Sequence, residues 1–318
     1  MARLVVLHGG TSMERDVSFM TGRRVQHALE RLGHEVHPLD IEDTTTGKLL
    51  ELAPEAAFIC LHGPGGEDGT VQTLLETLGI PYTGSGPLSS IRCMDKDYAK
   101  RALGAEGLPT PSFRTFYRRA MNEMGAAAAL DVAAETLGYP LVVKPSREGS
   151  SFGLSRVEAP DGLLDAVYEA FGYDAKILLE RWVDGTEVSV PILEPAGEEP
   201  RALGLVEIRP RDGAYNFEAK YTPGATDFAI PAEIPPESAT RLEETALAAY
   251  RSLGCSGYAR VDTIVSEGTP WILDVKTIPG FTETSTFPLA AEAAGLPFEE
   301  LVEKILDAAL QTEPAAKL

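Results

Sequence analysis

Residues 1–80 alternate between short apolar runs and stretches of helical period, and this alternation constrains the fold more than any other feature. "RLVVLHGG" is an apolar run that stops in a glycine turn, as a buried strand does. After it, Val25, Ala28, Leu29 and Leu32 keep the i, i+3, i+4, i+7 spacing of a helix face, which ends at Gly33. "EVHPLDI" reads as a second strand and "AAFICLHG" as a third, again ending at His-Gly. "GTVQTLLETLGI" is a helix after it. A βαβαβα order implies a parallel sheet with its functional loops at the carboxyl ends of the strands. The Rossmann-like α/β domain is expected over about residues 1–92, within the usual boundary error.

A different rhythm follows. "MDKDYAKRALGAEGLPTPSF" is a helix with a Pro-rich exit, and strands alternate with one helix from "YPLVVKPSREGSSFGLSRV" to "AKILLERWV". From "GTEVSVPILE" onward the strands are consecutive: "GLVEIRP", a polar loop, "YARVDTIV" and "WILDVKT". Helices are expected at about 236–253 and 288–311. Runs of strands beside runs of helices suggest α+β architecture. The expected units are therefore about 93–180 and 181–318, with a lid loop at about 209–226.

The formal net charge of −20 disfavours nucleic acid and anionic membranes, so neither is an expected partner. An anionic substrate would need its own local lysines and arginines. Cys60, Cys93 and Cys255 form no C-x-x-C pair and read as reduced core thiols, which fits the cytoplasm. No apolar run has the length of a membrane span or a signal peptide.

Several motifs carry chemistry. In "LDVKTIPG", Asp274 and Lys276 are two apart on a strand-like run and so share a face, and "YARVDTIV" brings another lone carboxylate, Asp262. Two acids on paired strands can hold a divalent cation. In "VVKPSREGSSFGLSRV", Lys144 ends a strand before the turn containing Gly149, Ser150, Ser151 and Gly153. Such a turn can fold over phosphates with the lysine beneath, or it is an ordinary Gly/Ser hairpin. Glu180 and Glu187 in "ILLERWVDGTEVSV" suit an adenine amino group and ribose hydroxyls, or are solvated turn acids. "NFEAKYTPGATDF" places Phe217, Lys220 and Tyr221 on a long polar segment, read as a lid or a surface loop. Glu14 follows the first strand's turn, where an exposed helix N-terminus would favour an acid in any case. His62 stands at the third strand's end in "LHGPGGEDGTVQ".

In order along nearly the whole chain, "HGGTSMERDVS", "LHGPGGEDGTVQ", "CMDKDYAKRAL", "VVKPSREGSSFGLSRV", "EAKY", "ARVD" and "TIPGFTETS" resemble the D-alanine–D-alanine ligases of the ATP-grasp superfamily. The resemblance implies a two-lobed ATP-grasp fold after the N-terminal domain. It also implies ATP-dependent joining of two D-alanines through an acyl phosphate for peptidoglycan, with Mg²⁺ as cofactor and a cytoplasmic homodimer. Lys96, Lys144 and Lys220 would contact ATP phosphates, with Ser151 under the flap. Glu180, Glu187, Trp182 and Val183 would hold adenosine. Glu14 would bind the first D-alanine's ammonium, joined to Ser150 and Tyr221 in a hydrogen-bonded triad. His62 and Ser285 would serve the substrate, and Arg260 and the Gly280 amide the oxyanion. Tyr221 resembles the dipeptide-forming members.

At one point the chain departs from that pattern. The family usually has "LEVNT" where this chain has "LDVKT", and its acid and Asn, with the upstream Asp, hold two Mg²⁺. Asp262 and Asp274 remain as metal ligands, but the Lys276 ammonium has no lone pair to offer. One metal site is expected and the second is in doubt. Either Lys276 stands in for that metal, or the chain is an impaired nucleotide-binding paralogue. A ligase for other amino acids is the remaining alternative.

Overall fold

The computed structural model describes residues 1–211, 213 and 215–311. Strands β1 (Arg3–His8), β2 (Glu35–Asp40) and β3 (Ala56–Ile59) form a parallel sheet in the order β2-β1-β3. Helix Arg15–Arg31 crosses from β1 to β2, and helix Thr70–Leu78 follows β3. With helix Thr45–Leu52 between β2 and β3, this is the βαβαβα order that the periodicity predicts. β1 is buried from Leu4 to His8, so its hydrophobic run has no exposed face. That is the pattern of a parallel strand covered on both sides.

A second, antiparallel sheet has the order β4-β7-β5-β6, from Phe113–Tyr117, Leu141–Pro145 (β5), Ser155–Val157 (β6) and Lys176–Arg181 (β7). Its apolar face packs on helices Ala128–Leu137 and Leu163–Tyr173 through Val143, Leu179, Val167 and Phe171. Edge strand β4 and helix Ala128–Leu137 lie between the end of "PTPSF" and "YPLVV", a stretch to which the sequence pattern assigns no element.

The third sheet runs β11-β10-β8-β12-β13, with β9 paired to β8. Its members are β8 (Thr186–Leu193), β9 (Arg201–Ala202), β10 (Val206–Pro210), β11 (Thr226–Ala229), β12 (Tyr258–Ser266) and β13 (Thr269–Lys276). Helix Pro236–Ser252 covers one face through Leu242, Ala246 and Ala249. The polar segment expected as loop is more ordered than its composition suggests. Asn216 caps a short helix, Phe217–Tyr221, by accepting from the Ala219 N–H at 2.9 Å. The helix expected at about 288–311 is two, Thr286–Ala293 and Phe298–Gln311. Gly295 turns the chain with φ 77°, and Pro297 cannot donate to a preceding turn.

The last helix does not stay with the third sheet. Val302, Ile305 and Leu306 share a core with Leu4, Val6 and Phe58 of the first sheet and with Tyr258, Phe281 and Phe287. Each such large side chain contributes roughly 1.5–3 kcal/mol when fully buried. This shared core ties the mouth of the first sheet to the chain after β13. The three cysteines are free and buried, although the fold brings Cys93 Sγ to 3.7 Å from Cys255 Sγ. Among the described residues no helix is long and apolar enough to cross a membrane.

Candidate active site

The carboxyl end of the first sheet meets the inner faces of the other two at a cleft of about 710 Å³, and every residue given a catalytic, substrate, ATP or metal role from the sequence lines it, while Phe217 and Gly153 do not. Glu14 reaches it from the start of helix Arg15–Arg31. Its side chain makes no cap hydrogen bond and is 6% exposed, so capping does not explain the acid. Instead Oε1 accepts the Ser150 hydroxyl, and Ser150 Oγ lies 3.0 Å from the Tyr221 hydroxyl. The three residues come from the first sheet's loop, the turn after β5 and the short helix Phe217–Tyr221. Glu14 Oε2 is buried with no hydrogen-bond partner among the described residues.

Two glycines make this approach possible. A Cβ on Gly149 would lie 2.6 Å from Glu14 Oε2, and one on Gly63, whose φ is 71°, would lie 2.8 Å from the same atom. Ser150 and Ser151 both hold positive φ, 45° and 62°, a conformation costly for residues with a Cβ. The turn is kept there by its bonds. Ser151 Oγ donates to the Tyr215 carbonyl at 3.1 Å and accepts from Lys220 Nζ at 2.9 Å. Thr284 Oγ1 donates to the Lys220 carbonyl at 2.9 Å. Phe217 packs its ring 5.2 Å from that of Phe152, closing the short helix over the turn.

Lysines gather on one side of the cleft. Lys144, from β5, donates to Glu180 Oε1 on β7 at 2.8 Å, a pairing fixed by the adjacent antiparallel strands. Lys100 Nζ stands 2.6 Å from the other Glu180 oxygen and donates to Thr110 Oγ1 at the same distance. Burial pulls the Lys100 ammonium down to about 8 despite Glu180. Burial alone would raise the Glu180 carboxyl, but Lys100 and Lys144 hold it below the ordinary range. Glu180 is thus an acid neutralised from one side, with lone pairs left over. Lys96 Nζ donates to the Glu148 carbonyl at 2.7 Å, and burial lowers its pKa as it does that of Lys220. Its helix is anchored by Asp95 and Asp97, which hold the buried Lys176 ammonium of β7 at 2.8–2.9 Å. Trp182 lies past β7 with the Arg156 guanidinium 4.2 Å over its ring, and Val183 follows it on the cleft wall.

Across the cleft, β12 and β13 pair Asp262 with Asp274 and Arg260 with Lys276. Directly paired residues share a sheet face, as do residues two apart, so two acids and two bases form a square. The register shifts just after Asp262, a bulge of the kind common beside active sites. Arg260 forks onto Asp262 through Nε–Oδ1 at 2.8 Å and Nη2–Oδ2 at 2.7 Å. Burial would raise the Asp274 carboxyl, yet Lys276, Lys96 and Lys144 bring it down to about 2. Lys276 is held charged by Asp274, Glu67 and Glu14 in spite of burial. On β8, burial and then Asp262 push the Glu187 carboxyl up to about 7, against Lys220.

At the first sheet's mouth, His62 lies 3.2 Å from Thr21 Oγ1, and burial lowers it to about 4, so it is neutral near pH 7. Ser285 Oγ accepts from the Thr282 N–H at 3.0 Å, and a Cβ on Gly280 would lie 2.8 Å from it. Those two positions are therefore packed together at the far wall.

The sequence reading missed Glu67 and Lys100. Both stand in the quoted motifs, but nothing in their spacing separates them from solvated neighbours. Glu67 is 4% exposed and accepts from the Gly63 N–H at 2.9 Å, and burial raises it to about 7.

A cluster of buried lysines facing paired carboxylates, beside a carboxylate with one oxygen unpaired among the described residues, has the chemistry to take a polyanion and an ammonium together. Known proteins resemble the chain in sequence and in shape. The sequence model for the D-ala D-ala ligase C-terminus matches residues 103–307, and that for the N-terminus matches 43–85. D-alanine–D-alanine ligases of Desulforudis audaxviator and of Anaeromyxobacter sp. strain Fw109-5 are each 46% identical. The alignments cover 96% of this chain and 97% and 96% of those proteins. The crystal structure of the Bacillus anthracis D-alanine–D-alanine ligase superposes with a TM-score of 0.83 at 36% identity, covering 98% of both chains. A D-Ala:D-Ser ligase from Enterococcus faecalis gives 0.80 at 30% identity, covering 96% of this chain and 98% of that one. By sequence over nearly its full length and by ATP-grasp architecture, the chain belongs to the D-alanine–D-alanine ligase family.

Proposed function

We propose that this protein joins two D-alanines to D-alanyl-D-alanine in an ATP-dependent reaction through an acyl phosphate. The observation that carries the reading is Glu14. It is a buried carboxylate with one oxygen tied to Ser150 and the other without a hydrogen-bond partner among the described residues, in the same cleft as the lysine cluster. A buried unpaired carboxylate oxygen is costly unless a ligand completes it. An amino acid's ammonium is such a ligand, and it would leave that amino acid's carboxylate facing the lysines.

A carboxylate is a poor acylating agent, and transfer of the ATP γ-phosphoryl group to it creates a leaving group. Lys96, Lys144 and Lys220 neutralise the phosphates, while Glu180, Glu187, Trp182 and Val183 hold the adenosine and Ser151 supports the flap. The amine of the second D-alanine, positioned by Ser285 and His62, attacks the acyl carbon. Arg260 and the Gly280 N–H stabilise the tetrahedral oxyanion, and phosphate leaves. Acyl phosphates hydrolyse, so the bonds from Ser150 and Ser151 to Tyr221, Tyr215 and Lys220 serve to exclude water. Asp262 and Asp274 are hard oxygen donors placed opposite each other, a set that suits Mg²⁺ held jointly with phosphate oxygens. When bound, the ion would supply charge neutralisation at the phosphates.

We further propose units at 1–92, 93–180 and 181–318, a homodimer, and a product used for peptidoglycan in the cytoplasm. The reading as a paralogue that has lost catalysis finds no support in the comparisons. Incubation with ATP, Mg²⁺ and D-alanine, followed by mass spectrometry, tests the function. D-Alanyl-D-alanine with one phosphate per dipeptide is expected. ATP turnover that needs no D-amino acid would refute it, and a mixed product made only with added D-serine or D-lactate would move the second-substrate assignment.

A further inference from the structure

The square on β12 and β13 has a consequence for metal stoichiometry. Its two acids carry four carboxylate oxygens, and each already faces a donor or a cation with only part of its lone-pair capacity left for a metal. Both oxygens of Asp262 face the Arg260 fork. Asp274 Oδ2 stands 3.5 Å from Lys276 Nζ and 3.7 Å from Lys96 Nζ, and Oδ1 accepts the Val275 N–H at 3.0 Å. Among the described residues no group of three or more His, Cys, Asp or Glu is arranged to hold a metal ion. One Mg²⁺ needs only one or two carboxylates once phosphate oxygens complete its shell. Two divalent ions in the ~3.5–4 Å arrangement of two-metal sites need further donors between them. Beside the two acids, opposite Arg260 and two residues from Asp274, the chain presents an ammonium instead of a donor, and an ammonium has no lone pair and repels a second cation.

Lys276 is also well placed to act. Its side chain is 13% exposed, it lines the cleft, and it projects from the last residue of β13, so its position is fixed by the sheet. Lys96 and Lys144 reach the same region from other elements.

We propose that the cleft takes a single divalent cation with its nucleotide, and that the Lys276 ammonium supplies the second positive charge at the phosphoryl group being transferred. This rests on the nucleotide reading above. Lys276 then acts on the substrate directly, and divalent metal beyond the metal–nucleotide complex adds nothing to binding.

The test counts metal ions without turnover. Mn²⁺ is titrated, with free Mn²⁺ read by electron paramagnetic resonance, into protein saturated with a non-hydrolysable ATP analogue. Analogue binding is measured separately by calorimetry. One Mn²⁺ per bound analogue is expected for the unsubstituted chain and for Lys276→Arg, which keeps the charge. Two are expected for Lys276→Asn, which supplies a carbonyl oxygen and removes the charge. Two Mn²⁺ per analogue in the unsubstituted chain, or only one in a folded Lys276→Asn chain, overturns the proposal and leaves the ligase reading intact. Failure of the unsubstituted chain to bind the analogue overturns both.

Discussion

Replacing Glu14 by Gln isolates the charge at the centre of the proposed substrate site while keeping its shape. The amide oxygen can still accept from Ser150, so the link to Tyr221 and the closed position of the turn are retained. What is lost is the negative charge at an atom that is buried and has no hydrogen-bond partner among the described residues. In a site this poorly hydrated, an ammonium facing a neutral amide forfeits roughly 2–4 kcal/mol relative to one facing a carboxylate. At 1.4 kcal/mol per tenfold, that is a rise of about 30- to 700-fold in the D-alanine dissociation constant. ATP affinity should stay within about threefold, because the fold survives and the residues proposed to hold adenosine come from β7, β8 and the turn between them, which leaves less than 1 kcal/mol to lose. Isothermal titration of D-alanine in the presence of a non-hydrolysable ATP analogue, and of the analogue alone, separates the two effects. Unchanged D-alanine affinity, or a loss confined to the nucleotide, would show that Glu14 does not hold the amino group.

Other expectations follow from the same geometry. Gly149→Ala places a methyl 2.6 Å from Glu14 Oε2, and the overpacking should cost roughly 1–3 kcal/mol of D-alanine binding, read by the same titration. Arg260→Ala should cut turnover by about 10² or more with the protein still folded, as measured by phosphate release and circular dichroism, and normal turnover would make Arg260 structural. Glu67 has a folded pKa near 7 against 4.5 for the free group, so the folded state binds the extra proton between those values. Its contribution to stability is therefore favourable below about pH 4.5 and declines as pH rises through 7. Glu67→Gln should flatten that decline in denaturant titrations at pH 5 and 7, and an unaltered slope would contradict the assignment.

The fold was legible where local pattern and final environment coincide. β1 and β3 are buried on both faces and read as unbroken apolar runs. Helix Arg15–Arg31 buries Val25, Ala28 and Leu29 on the stripe its spacing predicts. The break at Gly295–Pro297 was hidden because apolar residues continue on both sides of it. The short helix at Phe217 depends on one Asn216 side-chain bond inside a polar stretch. For the site, the i, i+2 rule anticipated that Asp274 and Lys276 share a face. The register that sets them against Asp262 and Arg260 is a property of strand pairing. The importance of Glu67 and Lys100 comes from burial supplied by other elements, and no local sequence signal encodes it. The approach of Cys93 to Cys255, 162 residues apart, is of the same kind.

The central claim is that ATP activates a D-alanine carboxylate by direct phosphorylation in the cleft beside Glu14. Isotope transfer tests it most directly. The reaction is run to completion with ATP and D-alanine carrying ¹⁸O in both carboxylate oxygens, and the phosphate and dipeptide are analysed by mass spectrometry. An acyl phosphate keeps one labelled oxygen as the bridge to phosphorus. Attack by the second amine then leaves one ¹⁸O in the released phosphate and one in the new amide carbonyl. One labelled oxygen per phosphate, formed with D-alanine and at most weakly with L-alanine, is the predicted result. Unlabelled phosphate accompanying dipeptide formation would contradict the account.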